Sequence, residues 1–115
     1  VFTLGTSAVL DPGRFYEEAR EAITAEGQRA VLLVSHLHLP KYKGWNSARI
    51  HVTDYAPHSL LMPRASVNVH QGGVGTTAQA LRAGRPMIIV PFSHDQPDNA
   101  QRVERLGVGT KLSRS

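Results

Sequence analysis

Apolar and polar positions along this chain fall into short, alternating segments of two kinds. Val1-Phe-Thr-Leu4 has the length of a strand and ends at Gly5-Thr6-Ser7. Asp11-Pro12 predicts a helix start, with Asp as N-cap and Pro at the first helical position. Phe15, Ala19, Ala22 and Ile23 then share one face at helical spacing, and Gly27 ends the helix. Arg29 to Val34 is a continuous apolar run, the pattern of a strand covered on both faces. Residues 35–48 read as a loop, and Arg49 to Thr53 as a third strand. Asp54 to His58 forms a loop, and Ser59 to Pro63 one helical turn. Val67 and Val69 mark a buried strand up to His70. Thr76 and Thr77 open a helix that runs to Gly84, and a strand follows up to Val90. Pro97 to Leu106 is the last helix, stopped by Gly107-Val-Gly109, with a further strand beginning near Lys111.

Strands that alternate with helices predict an α/β domain, a Rossmann-like parallel sheet with helices on both faces. No internal repeat or linker interrupts residues 1–115, so they read as one domain. Ligands of such sheets bind beyond the carboxyl ends of the strands. Four strand ends carry distinctive polar residues: Gly5-Thr6, Thr53-Asp54-Tyr55, His70-Gln71-Gly72 and His94-Asp95-Gln96. All are expected along one edge of the sheet.

The richest of these is the stretch around Gly72, Gly73 and Gly75. Three glycines within four residues leave backbone N–H groups open to close approach by an anion. The helix that follows points its free N–H groups and positive dipole end at the same loop. A glycine loop that feeds a helix N-terminus is built to hold phosphate. His70 stands just before it, placed to add a hydrogen bond or a positive charge.

Composition narrows the class further. The 115 residues are 41% hydrophobic and 19% charged, values of a folded globular domain. With no cysteine, disulfides and thiolate metal sites are excluded, which fits the cytoplasm. No apolar run is long enough to span a membrane, and no signal peptide is visible. The net charge of +4 suits a phosphate-bearing partner. The basic residues are scattered rather than interleaved with aromatics, so nucleic acid is not the expected partner. His36-x-His38 lacks a third ligand at a telling spacing, so no metal site is expected. Both ends read as cut, so a piece of a longer protein is expected.

The ordered motifs resemble a known family. His70-x-Gly72-Gly73-x-Gly75-Thr76-Thr77, then Gly84-x-Pro86, then Pro91 and Asp95-Gln96-x-x-Asn99, are similar to the C-terminal, donor-binding domain of GT-B nucleotide-sugar glycosyltransferases. That group includes UDP-glucuronosyltransferases and plant, macrolide and sterol glucosyltransferases. Tyr55-x-Pro57-His58 resembles the family's Trp-x-Pro-Gln segment, and Gly5-Thr6 its loop after the first strand. The resemblance implies one half of a GT-B fold, and a hexose transferred from a nucleotide-diphosphate donor, a UDP-sugar foremost, to a hydroxyl of a small lipophilic acceptor. It implies that His70, the Gly72, Gly73 and Gly75 amides and Thr76 hold the diphosphate, with Thr6 touching it from the opposite loop. Tyr55 would stack on the base, the backbone at His58 would read its edge, and Asp95 and Gln96 would bind the sugar hydroxyls. No metal or other cofactor is implied. The acceptor pocket and the catalytic His belong to an N-terminal domain in the same or a partner chain, so no residue here is expected to be catalytic.

Three positions depart from the pattern. Tyr55 replaces the commoner Trp, and His58 the commoner Gln. Where many members carry a ribose-binding Glu, this chain has Ala78 and Gln79, with Gln79 the neutral substitute. Two other readings stand beside the resemblance. Gly73-x-Gly75-x-x-Ala78 also fits a dinucleotide fingerprint, with Asp95 about 20 residues on, which would make an NAD-binding oxidoreductase domain. Against that, Pro91 closes the strand before Asp95, and the fingerprint explains neither His70 nor Gln96. The other reading is a non-catalytic nucleotide-binding module. Trp45 either rests on a missing domain or covers the edge of the core.

Overall fold

The computed structural model describes residues 1–4, 12–90, 96–107 and 109–111. Among them are six strands and five α-helices: β1 (Phe2–Thr3), α1 (Phe15–Glu26), β2 (Ala30–Leu33), α2 (Leu39–Tyr42), β3 (Ile50–Thr53), α3 (His58–Leu61), β4 (Asn68–His70), α4 (Val74–Ala83), β5 (Met87–Ile89), α5 (Gln96–Arg105) and β6 (Gly109–Lys111). The chain divides into two compact units, Phe2–Ala56 and Pro57–Ser115, the latter taking Val1 with it. The architecture is the parallel, Rossmann-like α/β class that the strand–helix alternation predicts.

In the first unit the strands lie in the order β3-β2-β1, all parallel, with Leu32 opposite both Phe2 and Val52. Leu32, Leu33 and Val34 are all buried, as a strand covered on both faces requires. Against them pack Phe15, Tyr16 and Ala19 of α1. An aromatic chain runs from Phe2 through Phe15, Tyr16 and Tyr42 to Trp45, with successive ring centroids 4.8–6.3 Å apart. Edge-on rings at such spacings add to plain area burial. The Tyr16 hydroxyl donates to the Leu33 carbonyl, so its polar end is satisfied inside the core, and burial drives its pKa up. Trp45 covers the edge of this core, with the Arg20 guanidinium 4.7 Å above its ring.

Several elements differ from the sequence reading. Helix α1 begins at Phe15, because residues 12–14 form a turn closed by the Phe15 N–H on the Pro12 carbonyl, with Gly13 at φ 56°. Its inner face includes Tyr16 and leaves Ala22 exposed, since the aromatic ring takes the space that alanine could not fill. Residues 35–48 hold helix α2, started on Pro40, and a 3-10 turn at Lys43–Trp45. Polar flanks hid this element, whose one buried residue is Tyr42. Helix α3 begins at His58, one residue early.

In the second unit the order is β4-β5-β6, again parallel, with Val69 opposite Ile88 and Ile88 opposite Thr110. The backbone of Val1 lies beside β4: its carbonyl accepts from Val69 N–H at 2.7 Å and its nitrogen donates to Val67 O at 3.0 Å. The core gathers Met62, Ala80, Met87, Ile89 and Val103. Gly109 is a close-packing glycine. A Cβ there would stand 2.8 Å from the Met87 carbonyl oxygen and 2.5 Å from its Cγ. All three residues of β4 are buried, so this strand carries polar side chains into the interior directly ahead of the glycine loop.

Candidate functional site

The site is assembled where β4 runs into α4. Asn68 anchors the strand: its Nδ2 donates to Met62 O at 3.2 Å and its backbone N–H to Pro86 O at 3.1 Å. His70 is fully buried. Its Nδ1 accepts the Gly72 N–H at 3.1 Å, which places the ring proton on Nε2, 3.3 Å from the Met87 sulfur. Burial, with a smaller push from the nearby His58, lowers its pKa to about 4. The ring is neutral at pH 7, so the positive charge allowed from the sequence is absent. His70 instead ties back the turn that starts the loop. That turn needs a glycine, for Gly72 sits at φ 91°.

Helix α4 starts two residues earlier than the threonines suggested, with Gly73 as N-cap and Val74 as first residue. The Thr77 N–H closes the first turn on the Gly73 carbonyl at 2.8 Å. The N–H groups ahead of it have no acceptor within the helix. The N-cap, Gly73, has no side chain to cap them, and no acid lies in the first turn. Thr76 and Thr77 are buried, whereas Gly75 is exposed and a Cβ there would meet nothing within 4 Å. Folding therefore does not require a glycine at 75. In a helix it costs about 1 kcal/mol relative to alanine, and what it leaves is open backbone at the positive end of the helix. Gly84 ends α4 in the left-handed conformation, φ 70°.

Of the residues named from sequence, this unit brings together His58, His70, Gly72, Gly73, Gly75 and Thr76. His58 is the first residue of α3, half-buried and close enough to His70 to shift its titration. Gln96 opens α5. Thr6 and Asp95 lie outside the described residues. In the other unit, Tyr55 is 78% exposed, its backbone pinned on both sides by the Thr53 hydroxyl (3.3 and 3.1 Å). His36 and His38 do not act as a pair: His36 Nδ1 meets Asp54 Oδ2 at 2.8 Å, and that hydrogen bond holds the Asp54 carboxyl below its usual pKa. No three metal-ligating side chains gather among the described residues.

Gln71, which sequence reasoning gave no role of its own, lies inside the loop, 2% exposed, its Oε1 without a partner among the described residues; Gln79, the neutral substitute named from sequence, has its Oε1 buried in the same way. The sequence signal for Gln71 was its place between His70 and Gly72, in a polar strand end.

Comparison with known proteins bears on the family and the fold. Residues 32–115 match the model of the erythromycin biosynthesis protein CIII-like C-terminal domain. A sterol 3-beta-glucosyltransferase of Arabidopsis thaliana is 35% identical over 113 residues, 91% of this chain and 16% of that protein. A sterol 3-beta-glucosyltransferase of Komagataella phaffii is 34% identical over 121 residues, 94% of this chain and 9% of that protein. The chain thus spans less than a fifth of the curated relatives it matches. Among solved structures, the glycotransferase of kitacinnamycin superposes with a TM-score of 0.86 at 26% identity, over 97% of this chain and 29% of that one. No helix among the described residues is long and apolar enough to cross a membrane. With the glycine loop and α4 inside the matched segment, the chain belongs to the CIII-like C-terminal family, the donor-binding domain of GT-B glycosyltransferases.

Proposed function

We propose that this domain holds a nucleotide-diphosphate sugar, with UDP as the nucleotide, as the donor half of an enzyme that transfers a hexose to a hydroxyl of a small lipophilic acceptor such as a sterol. The observation that carries the reading is the uncapped, acid-free N-terminus of α4, reached through exposed Gly75. The N–H groups there would take the diphosphate oxygens, with Thr76 beside them. His70 would act from behind, setting the Gly72 turn. Tyr55 would stack on the base, the backbone at His58 would read its edge, and Thr6 would close on the diphosphate. Gln79 offers an acceptor for a ribose hydroxyl. Asp95 and Gln96 would bind the sugar: a carboxylate beside an amide both accepts from and donates to a vicinal diol.

The chemistry follows from charge. As the glycosidic bond breaks, negative charge grows on the leaving diphosphate. A preorganised helix N-terminus stabilises that charge without a metal ion. The acceptor pocket and general base would come from an N-terminal domain in the same or a partner chain, and the cysteine-free sequence suits the cytoplasm.

The test is calorimetric titration of the intact protein with UDP, UDP-glucose and NAD, without added metal. Binding of UDP and UDP-glucose but not NAD is expected. Thr76→Val should weaken both UDP ligands, whereas Asp95→Ala should weaken only UDP-glucose. Loss of one hydrogen bond costs about 0.5–1.5 kcal/mol. Binding of NAD alone would overturn the assignment in favour of a dinucleotide site.

A further inference from the structure

Gln71 is the least expected residue of the glycine loop. Its side chain is polar, yet only 2% of it is exposed, and its Oε1 is buried with no hydrogen-bond partner. The other end of the amide lies against Gly73: Nε2 is 2.9 Å from where a Cβ on Gly73 would stand. The amide thus fills the space beside the Gly73 Cα, at the start of α4. A buried acceptor without a donor is costly, and a hydrocarbon side chain of similar length would fill the same space without that cost. What the amide keeps, and hydrocarbon lacks, is an NH2 group held at the N-cap of α4. Neutral donors at that place suit an anion whose oxygens can accept several bonds at once.

We infer that Gln71 is a specificity residue of the diphosphate subsite, its Nε2 donating to a phosphoryl oxygen alongside the N–H groups of the first turn of α4. The inference rests on the donor-site reading above and deepens it. Gln71 is neutral, so it selects for the phosphoryl oxygens by direction rather than by charge. It adds little to the binding of a nucleoside that lacks phosphates.

The test compares Gln71→Met and Gln71→Glu with the unaltered protein, measuring dissociation constants for UDP and for uridine together with the thermal midpoint. Met preserves length and volume and removes the donor. Glu keeps the shape and places a carboxylate beside the phosphates. The expected result is UDP affinity down about tenfold in the Met variant and at least about a hundredfold in the Glu variant, with uridine affinity unchanged in both. Equal losses for UDP and uridine would reduce Gln71 to a spacer and overturn the inference. So would a Met variant that binds UDP normally, and this arm stands even where the Glu variant fails to fold. If the unaltered protein binds uridine but gains nothing from the diphosphate, the donor-site reading itself fails, a result distinct from the other two.

Discussion

Helices α1 and α4 each come next after a strand, and their N-termini differ in how the dipole is met. Helix α1 carries Glu17 and Glu18 in its first turn. Arg14, its N-cap, reaches Glu18 at 4.0 Å and Glu21 at 3.2 Å, and Lys41 reaches Glu17 at 3.7 Å. The dipole of α1 is answered from within the chain, and its first two residues, Phe15 and Tyr16, go into the core. Neither N-cap residue makes a side-chain capping bond, but α4 has no acid in its first turn, and it spends a helical position on an exposed glycine. Both helices own a dipole. Only one leaves it unanswered, so the location of an anion site is read from what a helix end lacks.

The most direct way to break the comparison is to make α4 resemble α1. Gly75→Glu puts a carboxylate in the first turn, into open space. The substitution should stabilise the fold by about 1 kcal/mol, since it removes a helix glycine and answers the dipole. It should also weaken UDP binding at least about a hundredfold, some 2.7 kcal/mol. Thermal melting and titration of the same sample check both halves. A variant that melts higher and still binds UDP normally would remove α4 from the site.

His70 sharpens the contrast through pH. Its folded pKa, about 4, lies below the ordinary 6.5 because burial disfavours the cation. As pH falls, the unfolded chain takes up the proton first. The stability that the neutral ring contributes is therefore full above about pH 6.5, is lost as pH falls toward 4, and is level below that. The whole effect is about 3 kcal/mol. His70→Asn keeps an acceptor for the Gly72 N–H but does not titrate. Denaturant unfolding at pH 7, 5.5 and 4 should show the slope over this window shrink in the variant. An unchanged slope would mean that another group carries it.

The parts legible in the sequence were those that depend on local rules. The left-handed glycines at 27 and 84 stop α1 and α4 as expected, and the apolar run around β2 is buried from Leu32 to Val34. The glycine loop leading into a helix was legible because glycine clusters and helix starts are local signals. What could not be read depends on tertiary partners. The neutrality of His70 follows from the core that closes over it, the burial of Gln71 from its fit under Gly73, and helix α2 from a single tyrosine that the aromatic chain draws inward. The threonines at 76 and 77 misled the helix start, since Gly73 serves as N-cap and both threonines are buried.

The smallest effect comes from making α1 resemble α4. Glu17→Gln with Glu18→Gln removes both acids from the first turn of α1 and unpairs Arg14 from Glu18 and Lys41 from Glu17. The loss should be about 0.5–1 kcal/mol, as expected for a helix-dipole interaction together with exposed ion pairs, and should fade in high salt. If an unanswered dipole were sufficient for a site, this double variant would gain affinity for inorganic phosphate at α1. It should not, because Phe15 and Tyr16 fill the first turn where α4 offers Gly75. A new phosphate site at α1, seen as salt-resistant stabilisation by phosphate over chloride at equal ionic strength, would show that acids alone keep anions away. Its absence would leave bare backbone as the second requirement, the one that Gly72, Gly73 and Gly75 supply around the start of α4.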